Sequence, residues 1–315
     1  MNGYFAAALA VLVWSTYPVA TRAAVTGSFS PEELVVLRFG VGALLFLPYL
    51  VVSWRKIAGA TWLRGGALTV SHGAGMAALA IAGMQLAPAN HAAALGPGVS
   101  PAWVALFGFL LFAQRPSGRA VAGALFCVVG VLLLAFASAS EKTLSVLAGD
   151  AMFLCASALA ALYVLQVRRW GIGAAQGAAI VSLYSALIVV PYYLVYGGPS
   201  LSRVAPAELA WQVMWQGVLI GCVAVIALNH AISKLGAERS SALVALVPVL
   251  TALFALLFLD EVPSAVETAA FIVISAGVSI AAACDRRSTT AAARPLEAQP
   301  RSARRVGCPV RDSAS

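Results

Sequence analysis

The stretch FLDEVPS at residues 258–264 separates two apolar runs near the end of the chain, and a related stretch, LFAQRPS, occurs at residues 111–117. The two stretches lie 147 residues apart, and displacing the sequence by that distance also aligns Pro101 with Pro248. A glycine in each following run falls into the same frame. Matches of Ala and Leu arise by chance in apolar sequence, but two prolines, a serine and a glycine in one frame do not. The chain is therefore predicted to contain two related halves.

The composition indicates that most of the chain lies in lipid. Of 315 residues, 61% are hydrophobic and only 10% are charged, and the mean hydropathy is +0.91. Soluble domains carry about 25% charged residues and cannot hide this much apolar material. The apolar residues form ten solid runs near the length of about 20 residues that a helix needs to cross a bilayer, without the alternation of a barrel strand. The runs lie near residues 3–25, 32–53, 65–85, 90–113, 119–138, 146–167, 174–196, 208–231, 240–259 and 265–284.

Positive charges predict the orientation of these runs. With the N-terminus in the cytoplasm, 16 Lys and Arg residues fall on the cytoplasmic side and 3 fall outside. Cytoplasmic loops of membrane proteins carry such an excess. The first run has no basic segment before it and is too long for a signal peptide, so it is expected to remain as a helix. We therefore predict a multi-pass protein of the cell inner membrane with both termini in the cytoplasm.

Five spans in each half give the two halves opposite orientations in the membrane. The expected fold is an all-α polytopic membrane protein with ten transmembrane helices, arranged as two inverted-topology repeats of five helices. The halves are predicted at 1–143 and 144–285, and residues 286–315 are predicted to form a disordered, basic cytoplasmic tail. The inversion accounts for the charges of the two related turns, because QRPS faces the cytoplasm and DEVPS faces outward. Inverted repeats are the architecture of secondary transporters.

Four stretches resemble the EamA-type transporters of the drug/metabolite transporter superfamily. They are VLVWSTYPVATRAAV, ELVVLRFGVGALLFLP, PAWVALFGFLLFAQRPSGRAVAGALFCVVGVLLL and PVLTALFALLFLDEVPSAVETAAFIVISAGVSI. The usual turn of that family is close to L-G-E-x-P; residues 259–263 read L-D-E-V-P, and in the first half Gln114 stands where the family commonly has Glu. The resemblance covers roughly residues 3–284. It implies two five-helix halves and transport of a small metabolite, without indicating which one.

The expected function is therefore secondary transport of a small organic metabolite, such as an amino acid, across the inner membrane by alternating access, with efflux as the first hypothesis. Uptake by the same fold is the alternative within transport. From other classes, a non-transporting membrane sensor or scaffold and an intramembrane enzyme stay open. The chain has no Walker motif, nucleophile–base pair or metal-ligand spacing, so it is predicted not to be an enzyme and to need no cofactor or metal. The expected partners are a small-molecule substrate and the lipid bilayer, not nucleic acid, and a homodimer is left open.

Two polar residues inside the spans are candidates for substrate binding, because polar groups in lipid usually mark a site. Arg38 is the one charge well inside a span. Its planar fork suits a carboxylate, but it can also join helices through backbone carbonyls. His72 lies near the middle of the third run, where it can bind substrate, carry a proton or make a hydrogen bond between helices.

Aromatic residues at middle depth form a second group of candidates. Trp14 and Tyr17 lie one helical turn apart in the first run, Trp103 lies in the fourth, and Tyr163 is the repeat partner of Tyr17 when a small gap is allowed. Such rings suit stacking or cation–π contact with an organic substrate, although core packing is the commoner role. Asn229 in the eighth run can hydrogen-bond either a substrate or another helix.

The remaining ionisable residues of the spans are predicted to lie near their ends. His91 and His230 are expected at the membrane interface, and Asp150 and Glu208 are expected near the outer surface. A relay of carboxylates for protons is therefore not expected. If transport is coupled to protons, His72 is the predicted carrier.

The stretch LGPGVSP at residues 95–101 is predicted to interrupt the fourth span, since proline removes donors and glycine loosens the helix. Interrupted spans in matching positions of two halves indicate a substrate site, with a static kink as the alternative. A polar cavity is expected to supply partners for the freed carbonyls. The candidate residues for this helix break and for gating are Gly96, Pro97, Gly98, Pro101 and, in the second half, Pro248.

Overall fold

The computed structural model describes residues 2–58, 62–141, 144–197, 200–235, 240, 243–244 and 246–282. The predicted basic tail at 286–315 lies outside these residues. All regular elements in the described ranges are helical. This agrees with the apolar blocks of the sequence, because a helix satisfies its own backbone hydrogen bonds in lipid.

The helices are numbered along the described chain. They are α1 (Gly3–Thr26), α2 (Pro31–Ala58), α3 (Trp62–His72), α4 (Ala74–Leu86), α5 (Ala89–Leu95), α6 (Ser100–Phe112), α7 (Gly118–Glu141), α8 (Leu144–Trp170), α9 (Ala174–Tyr196), α10 (Pro206–Gln212), α11 (Ala224–Leu235), α12 (Val247–Leu259) and α13 (Ala265–Ala282). A 3₁₀ turn, Ser200–Arg203, precedes α10, and a π-helix, Val213–Val223, connects α10 to α11.

The helices follow the predicted apolar runs, but two runs are interrupted. The third run is divided into α3 and α4 at Gly73, and the fourth into α5 and α6 at residues 96–99. Counting across these interruptions, eight apolar segments of the described chain are long enough to cross a membrane, and α12 and α13 are shorter apolar helices. The structure therefore agrees with a polytopic membrane protein of about eight to ten spans.

The outer surface of the bundle is apolar. On α7, for example, Leu132 is 64% exposed and Phe136 is 67% exposed, whereas Cys127 and Leu134 on the opposite face are buried. A surface of this kind is not stable in water and matches the hydrocarbon of a bilayer.

The two related turns share one backbone conformation. α6 and α12 each have 13 residues, and the residues that follow them are Ala113 and Asp260. These two are the non-glycine residues of the described chain with positive φ, at 51° and 54°. The next N–H in each turn bonds back to a carbonyl six residues earlier, at 2.9 and 3.2 Å. Such a bond satisfies a carbonyl that the helix end would otherwise leave free. Ala113 and Asp260 are 147 residues apart, so the repeat in sequence is also a repeat in conformation.

The two parts of the chain pack in matching pairs. α1 contacts α11 and α12, and in the same way α8 contacts α4 and α6. α2 packs on α9, and α7 packs on α13. The α7–α13 contact is close because a Cβ on Gly277 would lie only 2.7 Å from the carbonyl oxygen of Gly123. The interior is thus built from helices of both parts.

Candidate functional site

Four of the predicted substrate-binding side chains form two contacting pairs in the bundle. They are Tyr17 of α1, Arg38 of α2, His72 at the end of α3 and Tyr163 of α8. Arg38 Nη1 donates to the Tyr17 hydroxyl at 3.0 Å, and its guanidinium lies 5.5 Å from the centre of the same ring. The His72 and Tyr163 rings stack, with centroids 4.5 Å apart and planes inclined by 18°. Tyr17 and Tyr163 pack against the same buried core, and we name the two pairs together the Arg38 cluster.

His72 is positioned by the interruption between α3 and α4. The N–H of Gly73 donates to the Thr69 carbonyl at 2.7 Å, and the N–H of Ala74 donates to Ser185 Oγ of α9 at 3.1 Å. A Cβ on Gly73 would lie 2.6 Å from Ser185 Oγ, so the close approach of α9 requires glycine here. The interruption leaves His72 Nδ1 buried, and no hydrogen bond reaches this atom in the part of the chain that the structure describes.

The two predicted tryptophans pack against apolar clusters that also contact Tyr17. Trp103 of α6 stacks on Phe107 with centroids 5.5 Å apart. Its Nε1 is buried and has no hydrogen-bond partner among the described residues. Trp103 packs against the same buried core as Tyr17 and Tyr163. Trp14 lies in a neighbouring apolar cluster that also includes Tyr17.

The predicted amide of the eighth span is not part of the described site. Asn229 belongs to α11, but its side chain lies outside the described part of the structure. A second amide, Gln216 in the π-helix, is buried and donates its Nε2 to Thr21 Oγ1 at 3.0 Å. Gln216 therefore joins the π-helix to α1.

The carbonyls freed between α5 and α6 have partners on other helices. Ser157 Oγ of α8 donates to the Gly96 carbonyl at 2.7 Å, and Cys127 Sγ of α7 makes a weaker bond of 3.4 Å to the Gly98 carbonyl. The expectation that a polar cavity would supply these partners is wrong for both carbonyls, because side chains of α8 and α7 supply them. The counterpart in the second half is the start of α12, where Pro248 lies in the first turn.

A second polar group, which was not predicted, surrounds His91 of α5. The imidazole is 0% exposed. Its Nδ1 lies 2.8 Å from Asp150 Oδ1 of α8, and its Nε2 lies 3.1 Å from Glu267 Oε1 of α13. Three helices therefore enclose His91 near the end of its span, a burial that the position of the residue in the sequence did not predict. We name these three residues the His91 cluster.

Local sequence places the two carboxylates. Glu267 forms a capping box at the start of α13, in which the Ser264 N–H donates to Oε2 at 2.7 Å and the Glu267 N–H donates to Ser264 Oγ at 3.2 Å. Next to Asp150, a Cβ on Gly149 would lie 2.9 Å from the Gly83 carbonyl oxygen. Glycine therefore lets α8 approach α4 closely at the level of Asp150.

An ion pair and a cavity adjoin the His91 cluster. Arg22 of α1 pairs with Glu261 and also donates to the Ala87 carbonyl at 2.8 Å. The second oxygen of Glu261 accepts from the Ala89 N–H, at the start of α5, at 2.9 Å. The adjacent cavity has a volume of about 320 Å³. It is lined by Arg22, Leu86, Pro88, Asn90, Val146, Glu261, Val262 and Glu267.

The His91 cluster was missed because its members are distant in the sequence. Asp150 and Glu267 are separated from His91 by 59 and 176 residues. The S-x-x-E pattern at residues 264–267 does predict a fixed carboxylate at a helix start, but it does not indicate the partner of that carboxylate. Within the described ranges, no group of three or more His, Cys, Asp or Glu residues is arranged to hold a metal ion.

Comparisons with known proteins are consistent with this architecture. The model of the EamA-like transporter family matches the chain twice, over residues 1–136 and 147–283. An uncharacterized transporter, YyaM of Bacillus subtilis (strain 168), is 26% identical over 247 residues, which cover 71% of this chain and 76% of YyaM. A crystal structure of another protein, 20% identical, covers 90% of this chain and 99% of its own with a TM-score of 0.59, and it shows a similar fold.

Proposed function

The chain belongs to the EamA-like transporter family, and on that premise we propose that it is a secondary transporter that exports an amino acid or a similar small metabolite by alternating access. Membership of this family, within the drug/metabolite transporter superfamily, makes the chain a multi-pass membrane transporter and not an enzyme. Substrate class, direction and mechanism belong to the proposal.

In the proposed topology the chain crosses the inner membrane ten times, in two inverted halves. Both termini lie in the cytoplasm. Three observations support it. The turns after α6 and α12 have the same conformation, the helices pack in matching pairs, and the family model matches the chain twice. The excess of Lys and Arg on one side sets the orientation. In this orientation, the end of the bundle that holds the His91 cluster faces outward.

The Arg38 cluster carries the proposal for the substrate site. His72 Nδ1 and Trp103 Nε1 are buried polar atoms without partners in the described structure. An unsatisfied buried polar group costs about 1–3 kcal/mol, and lipid offers no water to relieve this cost. A bound substrate with polar groups removes the cost, and aromatic faces on either side hold its organic part.

The chemistry of the Arg38 cluster favours a substrate with a carboxylate. Arg38 presents five donors in a planar fork, of which one donates to Tyr17 among the described contacts. A carboxylate accepts from the others, and the stacked His72 and Tyr163 rings offer a polar edge and a flat surface. Amino acids combine these features. Arg38 and His72 come from the first half and Tyr163 from the second, so a relative motion of the halves would open and close the site.

The interruption between α5 and α6 and the matching start of α12 are the proposed gating elements. A helix divided into two parts can bend at the division while each part stays intact. Gly96, Pro97, Gly98 and Pro101 form the first division, and Pro248 stands in the second.

Release of amino acids from cells tests the proposal. A host that expresses the full chain is loaded with a mixture of dipeptides, and the medium is followed by mass spectrometry. We expect faster release of one amino-acid class, reduced by about 5-fold to 150-fold in His72→Ala, which corresponds to a loss of about 1–3 kcal/mol. His230→Ala is the matched control, because this histidine belongs to α11 and is not a member of the Arg38 cluster.

Three results would change this conclusion. Unchanged release of every amino acid would exclude amino-acid export as the function. Accumulation inside the cells would indicate uptake by the same fold. Full release by the His72→Ala variant would remove the Arg38 cluster as the substrate site.

A further inference from the structure

The contacts of His91 require one proton more than a neutral imidazole and two ionised carboxylates contain together. A neutral imidazole has one N–H, yet both ring nitrogens lie at hydrogen-bond distance from carboxylate oxygens, at 2.8 and 3.1 Å. Both contacts are hydrogen bonds only if the ring is doubly protonated or if one carboxyl carries a proton. The two arrangements contain the same number of protons.

Loss of that proton would leave one nitrogen lone pair facing a carboxylate oxygen at about 3 Å between buried side chains. The ring is 0% exposed, and the side chains of Asp150 and Glu267 are 10% and 5% exposed. The resulting repulsion acts between α5 and either α8 or α13. Proton release is therefore coupled to separation of helices that belong to different halves of the chain.

A route for the proton adjoins the cluster. Glu267 and Asn90 both line the cavity of about 320 Å³. Asn90 is 2% exposed, and its Oδ1 is buried without a hydrogen-bond partner in the described part of the chain. A cavity of this size with Arg22, Glu261 and Glu267 in its wall can hold water, and water next to Glu267 can deliver a proton.

The cluster is also connected to the helix that bears Tyr17. The helices packed against α5 are α1, α4, α8, α12 and α13. The charged and titratable groups that they direct toward this end of α5, among the described residues, are Arg22, Asp150, Glu261 and Glu267. Glu261 accepts from the N–H of Ala89 and pairs with Arg22, which lies on α1 with Tyr17. Movement of α5 therefore acts on the ion pair and on the helix that contributes Tyr17 to the Arg38 cluster.

From this geometry we infer that His91, Asp150 and Glu267 bind the proton that is exchanged for substrate, so that the protein is a proton-coupled antiporter. The inference rests on the proposed transport function. It replaces His72 as the predicted proton carrier, because His72 has no carboxylate contact in the described structure, whereas His91 has two.

Transport in proteoliposomes tests the coupling. The full chain is reconstituted, and a uniformly ¹⁴C-labelled mixture of amino acids is the probe. Exchange of labelled for unlabelled amino acids needs no net proton movement, whereas accumulation against a concentration gradient driven by a pH gradient does. We expect the parent chain to do both, and His91→Gln, Asp150→Asn and Glu267→Gln to keep exchange but lose pH-driven accumulation by about 5-fold to 150-fold.

The variants have matched controls. Glu267→Gln keeps the capping box, since Gln replaces Glu in that motif. Glu208→Gln removes an exposed carboxylate of α10, and His230→Gln removes a histidine outside the cluster. Both controls should retain pH-driven accumulation. Two results would overturn the inference and leave the proposed function intact. One is pH-driven accumulation that persists in the His91→Gln variant. The other is a parent chain that exchanges amino acids but whose accumulation does not depend on the pH gradient.

A measurement without substrate separates the two proposals. The chain has three histidines, so ¹⁵N-histidine spectra of the full protein contain few signals, and His91→Gln identifies that of His91. We expect this signal to titrate within the pH range over which the protein stays folded, and its midpoint to change in Asp150→Asn but not in Glu208→Gln. A signal that does not titrate in this range would overturn proton binding. Titration without movement of any amino acid in proteoliposomes would instead contradict the proposed function.

Discussion

Replacement of the ion pair beside the cavity tests whether Arg22 acts as a hydrogen-bonding clamp or only as a charge. The side chains of Arg22 and Glu261 are 20% and 15% exposed, so solvent screens the pair only in part. Arg22 also donates to the carbonyls of Met84 and Ala87, and Glu261 accepts from the Ala89 N–H. The pair therefore connects α1 and the turn after α12 to the end of α4 and the start of α5.

The expected loss of stability follows from these bonds. Arg22→Gln removes the charged bond and both carbonyl bonds, and we expect the free energy of unfolding to fall by about 2–4 kcal/mol after allowance for partial exposure. Glu261→Gln keeps an acceptor for Ala89, and we expect a fall of about 1–2 kcal/mol. The reversed pair, Arg22→Glu with Glu261→Arg, restores opposite charges but places a carboxylate against carbonyl oxygens of α4. We expect it to recover none of the loss.

Unfolding by sodium dodecyl sulfate in mixed micelles, followed by tryptophan fluorescence, measures these free energies in the full chain. Arg203→Gln is the control, because this exposed arginine lies in the 3₁₀ turn before α10 and should change stability by less than about 0.5 kcal/mol. A reversed pair as stable as the parent would refute the assignment of Arg22 as a clamp. It would show that the opposite charges alone hold these helices together.

Two further predictions concern the packing and the orientation of the halves. Gly277→Ala should lower the free energy of unfolding by about 1–3 kcal/mol, because the added Cβ would lie 2.7 Å from the Gly123 carbonyl oxygen. Gly66→Ala, where a Cβ meets nothing within 4 Å, is the matched control in the same titration, and equal effects would contradict the close contact. A membrane-impermeant maleimide applied to intact cells should label a cysteine introduced at Ser264 but not one at the equivalent position, Ser117. Labelling of both from one side would contradict the inverted topology.

The fold class follows from the sequence because the properties that decide it are local. The length of an apolar run and its polar flanks decide whether it spans a bilayer, and neither depends on which helix lies beside it. The repeat is also visible in the sequence, and the structure gives the turn residues at 113 and 260 the same backbone conformation. Interruptions at Gly73 and at residues 96–99 follow from glycine and proline, although only the latter interruption was predicted as a helix break.

The Arg38 cluster was predicted in part. Depth within the span identified Tyr17, Arg38, His72 and Tyr163 as polar or aromatic groups in lipid, and the structure pairs Arg38 with Tyr17 and His72 with Tyr163. Which of them pair could not be predicted, since the pairing depends on the rotation of four helices about their axes.

The sequence by itself determined that this chain lies in lipid, is helical and repeats its turns, because each of these properties depends on residues close together along the chain. Only the tertiary structure decided the roles of the ionisable groups near the span ends. The same histidine, taken alone, suits a membrane interface, and it becomes a buried group between two carboxylates only when α8 and α13 close around it. The burial and hydrogen bonding of a side chain depend on the residues that surround it in space, and those around His91 are up to 176 residues away in the sequence.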